Sequence, residues 1–150
     1  MYPVLNHLCL SVANLDDCVI FYRRYCQMRV VENRSSDGEG SVYLAEQGAG
    51  PAWILQLKSG GRDQPLEPSD ESHLGFSVDS RGVVDLLAGM ARAEGIVAYE
   101  AAEYLPGAYF CGVRDPDGNC VEFGCGQHAP PTRIPGGLRD KTQRATEESS

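Results

Sequence analysis

The chain has 150 residues, 42% of them apolar, and a formal net charge of −8. That length suits a single domain with a buried core, and the apolar share argues against a chain disordered throughout. The acidic balance disfavours nucleic acid or an anionic membrane as a partner, because no basic patch is present to release counterions. A small-molecule ligand remains open.

Val4–Val12 alternates as a strand should. Leu5, His7, Cys9 and Ser11 point one way, and Val4, Leu8, Leu10 and Val12 the other. Asn14 then stands as a helix N-cap, with Asp16 and Asp17 in the first turn, where the helix dipole favours negative charge. Leu15, Cys18, Val19, Tyr22 and Cys26 follow at helical spacing and predict an amphipathic helix. Arg29–Asn33 and Ser41–Ala45 read as strands around the turn Ser35–Gly38, and Ala52–Leu57 as a fourth strand. Glycines, prolines and charges over the next dozen or so residues predict a linker.

The second half repeats this order. Ser72–Asp79 reads as a strand. Ser80 caps a helix with Val83, Leu86, Leu87 and Met90 on its apolar side, and Gly95 ends it. Ile96–Glu100 and Ala108–Arg114 are strands, Asp115-Pro116-Asp117-Gly118 is a turn, and Asn119–Cys125 is the last strand.

A short motif ties the halves together. His7-Leu8-Cys9-Leu10-Ser11-Val12 and His73-Leu74-Gly75-Phe76-Ser77-Val78 share H-L-x-[apolar]-S-V at an offset of 73 − 7 = 66. The same offset maps Val30-Val31 on Ile96-Val97, Val42-Tyr43-Leu44 on Ala108-Tyr109-Phe110, and Leu55-Gln56-Leu57 on Val121-Glu122-Phe123. The fold class expected is α+β, two β-α-β-β-β modules about a pseudo-twofold axis. One domain spans 1–128, with module one at about 4–58, a linker at 59–71 and module two at about 72–126. Residues 129–150, Pro/Gly-rich and then charged, are expected to form a mobile tail or a partner-wrapping arm.

No C-x-x-C pair occurs among the six cysteines, which argues against a structural zinc ribbon. The opening residues lack the basic and apolar regions of a signal peptide, and no apolar run is long enough to span a membrane. A reduced cytoplasmic protein with small buried thiols is the expectation.

Four polar residues interrupt apolar strands at repeat-equivalent positions: His7 with His73, and Gln56 with Glu122. Taken singly, a histidine or glutamine on a strand is more often a satisfied polar residue than a ligand. Burying a carboxylate and two imidazoles, however, is costly unless something binds them. Two imidazoles and one carboxylate suit one divalent metal ion such as Zn, Ni, Mn, Co or Fe(II), with the Gln56 amide oxygen as a weak fourth donor. Cys9, Ser11 and Cys120 share the faces of these residues and are candidates for the substrate pocket, although small core residues are the simpler reading of the two thiols.

Residues 5–22, L-N-H-L-C-L-S-V-A-N-L-D-D-C-V-I-F-Y, resemble the opening of vicinal oxygen chelate proteins. R-D-P-D-G-N-C-V-E-F-G at 114–124 resembles their closing strand. That superfamily includes glyoxalase I, fosfomycin thiol transferases, methylmalonyl-CoA epimerase, extradiol dioxygenases and bleomycin-resistance proteins. The resemblance implies an eight-stranded, cup-shaped mixed sheet around a metal held by His7, Gln56, His73 and Glu122. It implies a small-molecule substrate with vicinal oxygens and a homodimer. The leading reading is a glyoxalase-I-like lyase or isomerase acting through a metal-bound ene-diolate, with Glu122 as the catalytic base. The alternatives are an Fe(II) extradiol-type dioxygenase, a methylmalonyl-CoA-epimerase-like or thiol-transferase enzyme, and a non-enzymatic binding protein of the bleomycin-resistance type. Bacterial glyoxalase I usually has Glu where this chain has Gln56, and the glutathione-dependent type tends to have Arg where it has Ser11.

Overall fold

The computed structural model describes residues 2–48, 50, 53–61 and 72–126. Module one comprises β1 (His7–Val12), α1 (Leu15–Tyr25), β2 (Arg29–Ser36), β3 (Glu39–Ala45) and β4 (Ile54–Ser59). Module two comprises β5 (His73–Ser77), α2 (Arg81–Glu94), β6 (Val97–Leu105), β7 (Ala108–Arg114) and β8 (Cys120–Gly126). The expected α+β order of two β-α-β-β-β units is present. Residues 129–150, read as a tail, lie outside the described residues, as do Ala52 and most of the linker.

Each module forms one four-stranded mixed sheet. The orders are β1-β4-β3-β2 and β5-β8-β7-β6, with the first pair parallel and the rest antiparallel. Among the described residues no ladder joins the two sheets, so β1 and β5 each keep a free edge. α1 crosses β3 and β4, and α2 crosses β6, β7 and β8.

One hydrophobic core serves both modules. Leu44, Leu55 and Leu57 from the first sheet, Val113, Val121 and Phe123 from the second, and the buried sides of both helices belong to a single cluster. The helix faces differ from the sequence reading. In α1 the buried side is wider than predicted and takes in Phe21 and Tyr25, whose rings stack at 4.8 Å. In α2 it is rotated onto Val84, Leu87, Ala88 and Ala91, and Leu86 is 62% exposed. The small alanines let the helix lie close on its sheet, so the bulky leucine does not mark the core side.

The aspartate turn joins the modules. Gly118 N–H donates to the Asp115 carbonyl at 2.9 Å and closes the turn, as predicted. Asp115 is 3% exposed, and its carboxylate accepts from the Asp117 and Asn119 backbone N–H groups, the Asn119 side-chain amide and the Tyr22 hydroxyl of α1. Burial pushes the Asp115 carboxyl above the usual range, and these donors oppose the shift. Asp117 accepts from Ala13 N–H at 2.6 Å and Asn14 N–H at 3.2 Å. Asn14 stands at the predicted N-cap position but makes no side-chain capping bond; its own backbone N–H and that of Ala13 are instead held by Asp117, 103 positions on from Asn14. Ser80 does cap α2, and Gly95 ends it in the left-handed region at φ 71°.

The gapless repeat needs one correction. Tyr43 pairs with Gln56, and Gly112 pairs with Glu122. Counterparts on β3 and β7 are therefore 69 residues apart (112 − 43 = 69), not 66, and Tyr43 corresponds to Gly112 rather than Tyr109. The cause is local. β6 is longer than β2 and irregular in its pairing with β7, while the β7–β8 turn is shorter than the β3–β4 connection, which restores the offset.

Candidate functional site

The alternation of β1 exposes His7, Cys9 and Ser11 and turns Leu8, Leu10 and Val12 inward. On β4, Leu55 and Leu57 are buried and Gln56 between them is not. Register places Gln56 between Cys9 and Tyr43 in one row across the sheet. The next row holds Ser11, Lys58 and Ser41. Gln56 Nε2 donates to Ser41 Oγ at 3.2 Å and Tyr43 Oη at 3.3 Å, and its carbonyl oxygen has no partner among the described residues. His7 Nδ1 lies 2.5 Å from Asn6 Oδ1.

The second sheet presents the equivalent face with different neighbours. His73, Gly75 and Ser77 alternate outward along β5. Glu122 sits between Gly75 and Gly112. His73 Nε2 is 3.7 Å from Glu122 Oε2, with the imidazole 43% and the carboxylate 19% exposed. Tyr99 Oη donates to the same Oε2 at 2.7 Å. Burial, with the carboxylate beside it, pushes the Tyr99 phenol above its usual range. Cys120 is buried next to Tyr99, and burial raises its thiol too.

The structure thus brings His73 and Glu122 together on the second sheet, and His7 and Gln56 onto one face of the first. It does not bring all four to one point. Among the described residues no three His, Cys, Asp or Glu side chains stand close enough to share an ion. Cys9 and Ser11 are exposed on the His7 face, while Cys120 shares the Glu122 face but is buried. All six cysteines are free thiols, and no helix among the described residues is long and apolar enough to cross a membrane.

The donor set suits a divalent transition metal: two imidazole nitrogens, one carboxylate and an amide oxygen without a partner among the described residues. Sequence reasoning missed Tyr99 and Gly112. The available signal was a glycine inside the strand Ala108–Arg114, which marks a place where something approaches the backbone closely.

The comparisons with known proteins agree with this architecture. The sequence profile of the Glyoxalase/Bleomycin resistance protein/Dioxygenase superfamily matches residues 4–123. An uncharacterized protein of Pseudomonas aeruginosa is 42% identical over 132 residues, 87% of this chain and 94% of that protein. A glyoxalase/bleomycin resistance protein/dioxygenase domain from Frankia superposes with a TM-score of 0.65 at 22% identity, covering 85% of this chain and all of that one. Lactoylglutathione lyase from Agrobacterium tumefaciens superposes with a TM-score of 0.57 at 23% identity, over 82% of this chain and 93% of that one. These structural likenesses carry the fold, and the sequence matches carry the kinship: the chain belongs to the Glyoxalase/Bleomycin resistance protein/Dioxygenase superfamily.

Proposed function

We propose that the protein is a metal-dependent enzyme of the glyoxalase-I-like kind, a lyase or isomerase acting on a small substrate with a carbonyl and an adjacent oxygen. The observation that carries this reading is the His73–Glu122 pair at 3.7 Å, set on the face equivalent to that of His7 and Gln56. His7, Gln56, His73 and Glu122 would hold one divalent ion. A bound ion of this kind supplies Lewis-acid polarisation of the carbonyl.

Glu122 is the base. It is the one carboxylate of the set, and the Gln56 amide does not take up a proton near neutral pH. It removes the proton from the carbon next to the carbonyl. The C–H electron pair becomes a C=C bond and the carbonyl π pair a lone pair on oxygen while an O–H bond forms on the carboxylate; the same group then returns the proton to the former carbonyl carbon, and the adjacent hydroxyl passes its proton to the former carbonyl oxygen as it becomes the new carbonyl. Cys9, Ser11 and Cys120 belong to the pocket around this centre.

A second copy of the chain completes the site. The His7 and His73 strands, β1 and β5, are both sheet edges with a free side, and a homodimer that sets one copy's first sheet beside the other's second sheet brings the four donors together. Ferrous iron in the same two-imidazole, one-carboxylate set is the second reading, and it would make the protein an extradiol-type dioxygenase.

The test begins with metal content of the purified dimer. Reconstituted Zn, Ni, Mn, Co and anaerobically loaded Fe(II) forms are then screened against α-hydroxycarbonyl compounds in D2O. Deuterium entering the substrate's α-carbon supports the lyase or isomerase reading. Oxygen uptake with a catechol supports the dioxygenase reading, and protein without metal or turnover refutes both.

A further inference from the structure

We infer that Tyr99 is a positioning residue for Glu122, its hydroxyl carried across the bare backbone of Gly112 to fix one oxygen of the carboxylate; this rests on the metal-binding reading given above. Tyr99, Gly112 and Glu122 lie in one row across the second sheet, on β6, β7 and β8. Adjacent strands are roughly 4.8 Å apart, so the tyrosine must reach over a whole strand to meet the carboxylate. That is possible only because the intervening position has no side chain. A Cβ at Gly112 would lie 2.3 Å from the Tyr99 ring. Glycine and phenol are a matched pair.

The ring is held independently of its hydroxyl. Tyr104 meets it edge-on at 5.8 Å and Phe110 at 6.1 Å. The hydroxyl then donates to Oε2 at 2.7 Å. It is the one hydrogen-bond donor to Glu122 among the described residues, since His73 at 3.7 Å is too far for such a bond. Oε1 keeps no partner among the described residues. An outer partner of this kind orients a ligating carboxylate and leaves its other oxygen open.

Module one solves the equivalent problem differently. There the Gly112 position is filled by Tyr43, whose hydroxyl accepts from the Gln56 amide on the next strand. The long reach of Tyr99 is thus specific to the carboxylate-bearing half.

The experiment is a Co2+ titration of full-length dimer, followed by its visible absorption, for wild type, Y99F, E122Q and Y99F/E122Q. Y99F keeps the ring on Gly112 and removes only the hydroxyl. The expected result is Co2+ affinity about tenfold weaker or more in Y99F, with an altered visible band and an unchanged melting temperature. In the E122Q background the same change has no further effect, because the residue acts through Glu122. Wild-type affinity in Y99F, or an effect undiminished in E122Q, overturns the role of Tyr99 and leaves the metal site standing. Wild type that binds no Co2+ overturns both.

Discussion

In the first module Gln56 sits between Cys9 and Tyr43; in the second, Glu122 sits between two glycines. The main-chain topology is the same in both, down to the parallel first pair and the helix across the back. The difference follows from what each side chain can do. An amide donates as well as accepts, and the hydroxyls of Ser41 and Tyr43 take its N–H groups. A carboxylate only accepts. It needs a donor, and the glycine beside it lets Tyr99 supply one from two strands away. The repeat therefore doubles a scaffold, and on the proposed reading the side chains around it divide the work into a holding half and a reacting half.

The largest expected effect comes from erasing that division at its centre. Glu122→Gln makes the two halves chemically alike and should lower α-proton exchange by about 1,000-fold or more, read by NMR in D2O. Gln56→Ala should leave exchange within about tenfold of wild type at saturating metal, because on the proposed reading the amide is only a neutral ligand. If the two losses are equal, the halves do not differ in role.

The latch between modules comes next. Asp115→Ala leaves the Tyr22 hydroxyl and three N–H donors without their acceptor in a buried place. It should cost about 3 kcal/mol and lower the melting temperature by about 10 °C. A drop of only a degree or two would show that the core alone holds the modules together.

Two smaller contrasts sharpen the picture. Tyr43→Phe should weaken Co2+ binding by less than about threefold, because Ser41 still holds the Gln56 amide; it therefore does less than Y99F. In α2, Leu87→Ala should cost about 2–3 kcal/mol and Leu86→Ala less than about 0.5 kcal/mol, measured by urea unfolding. The two leucines are adjacent in sequence but 8% and 62% exposed.

The module order was legible because alternation and helical spacing are strong over short windows. The H-L-x-[apolar]-S-V repeat located β1 and β5, and the polar breaks in apolar runs gave His7, Gln56, His73 and Glu122 as candidates. Extent was less legible. Val4–Asn6 carries the right residues for a strand, yet β1 begins at His7. The offset of 66 misaligned β3 with β7 because the β6–β7 hairpin and the following turn change length in opposite senses, which no local pattern reports. The tie between the start of α1 and Asp117 was hidden for a related reason. Asn14 was legible as the N-cap position, but nothing near it points to the residue 103 positions on that holds its backbone N–H. Tyr99 was hidden because its partner is two strands away in the sheet and 23 positions away in the chain.

The central claim is that one site draws its donors from two copies. It is tested by co-refolding His7→Ala and His73→Ala chains, each of which has lost one imidazole from every site. If sites are shared, half of the dimers are mixed, and each mixed dimer has one intact site and one that lacks both histidines. The mixture should recover tight Co2+ binding at about one quarter of the wild-type stoichiometry, although neither variant alone binds tightly. A mixture that binds no better than its two parents would place all four donors within a single chain and contradict the account.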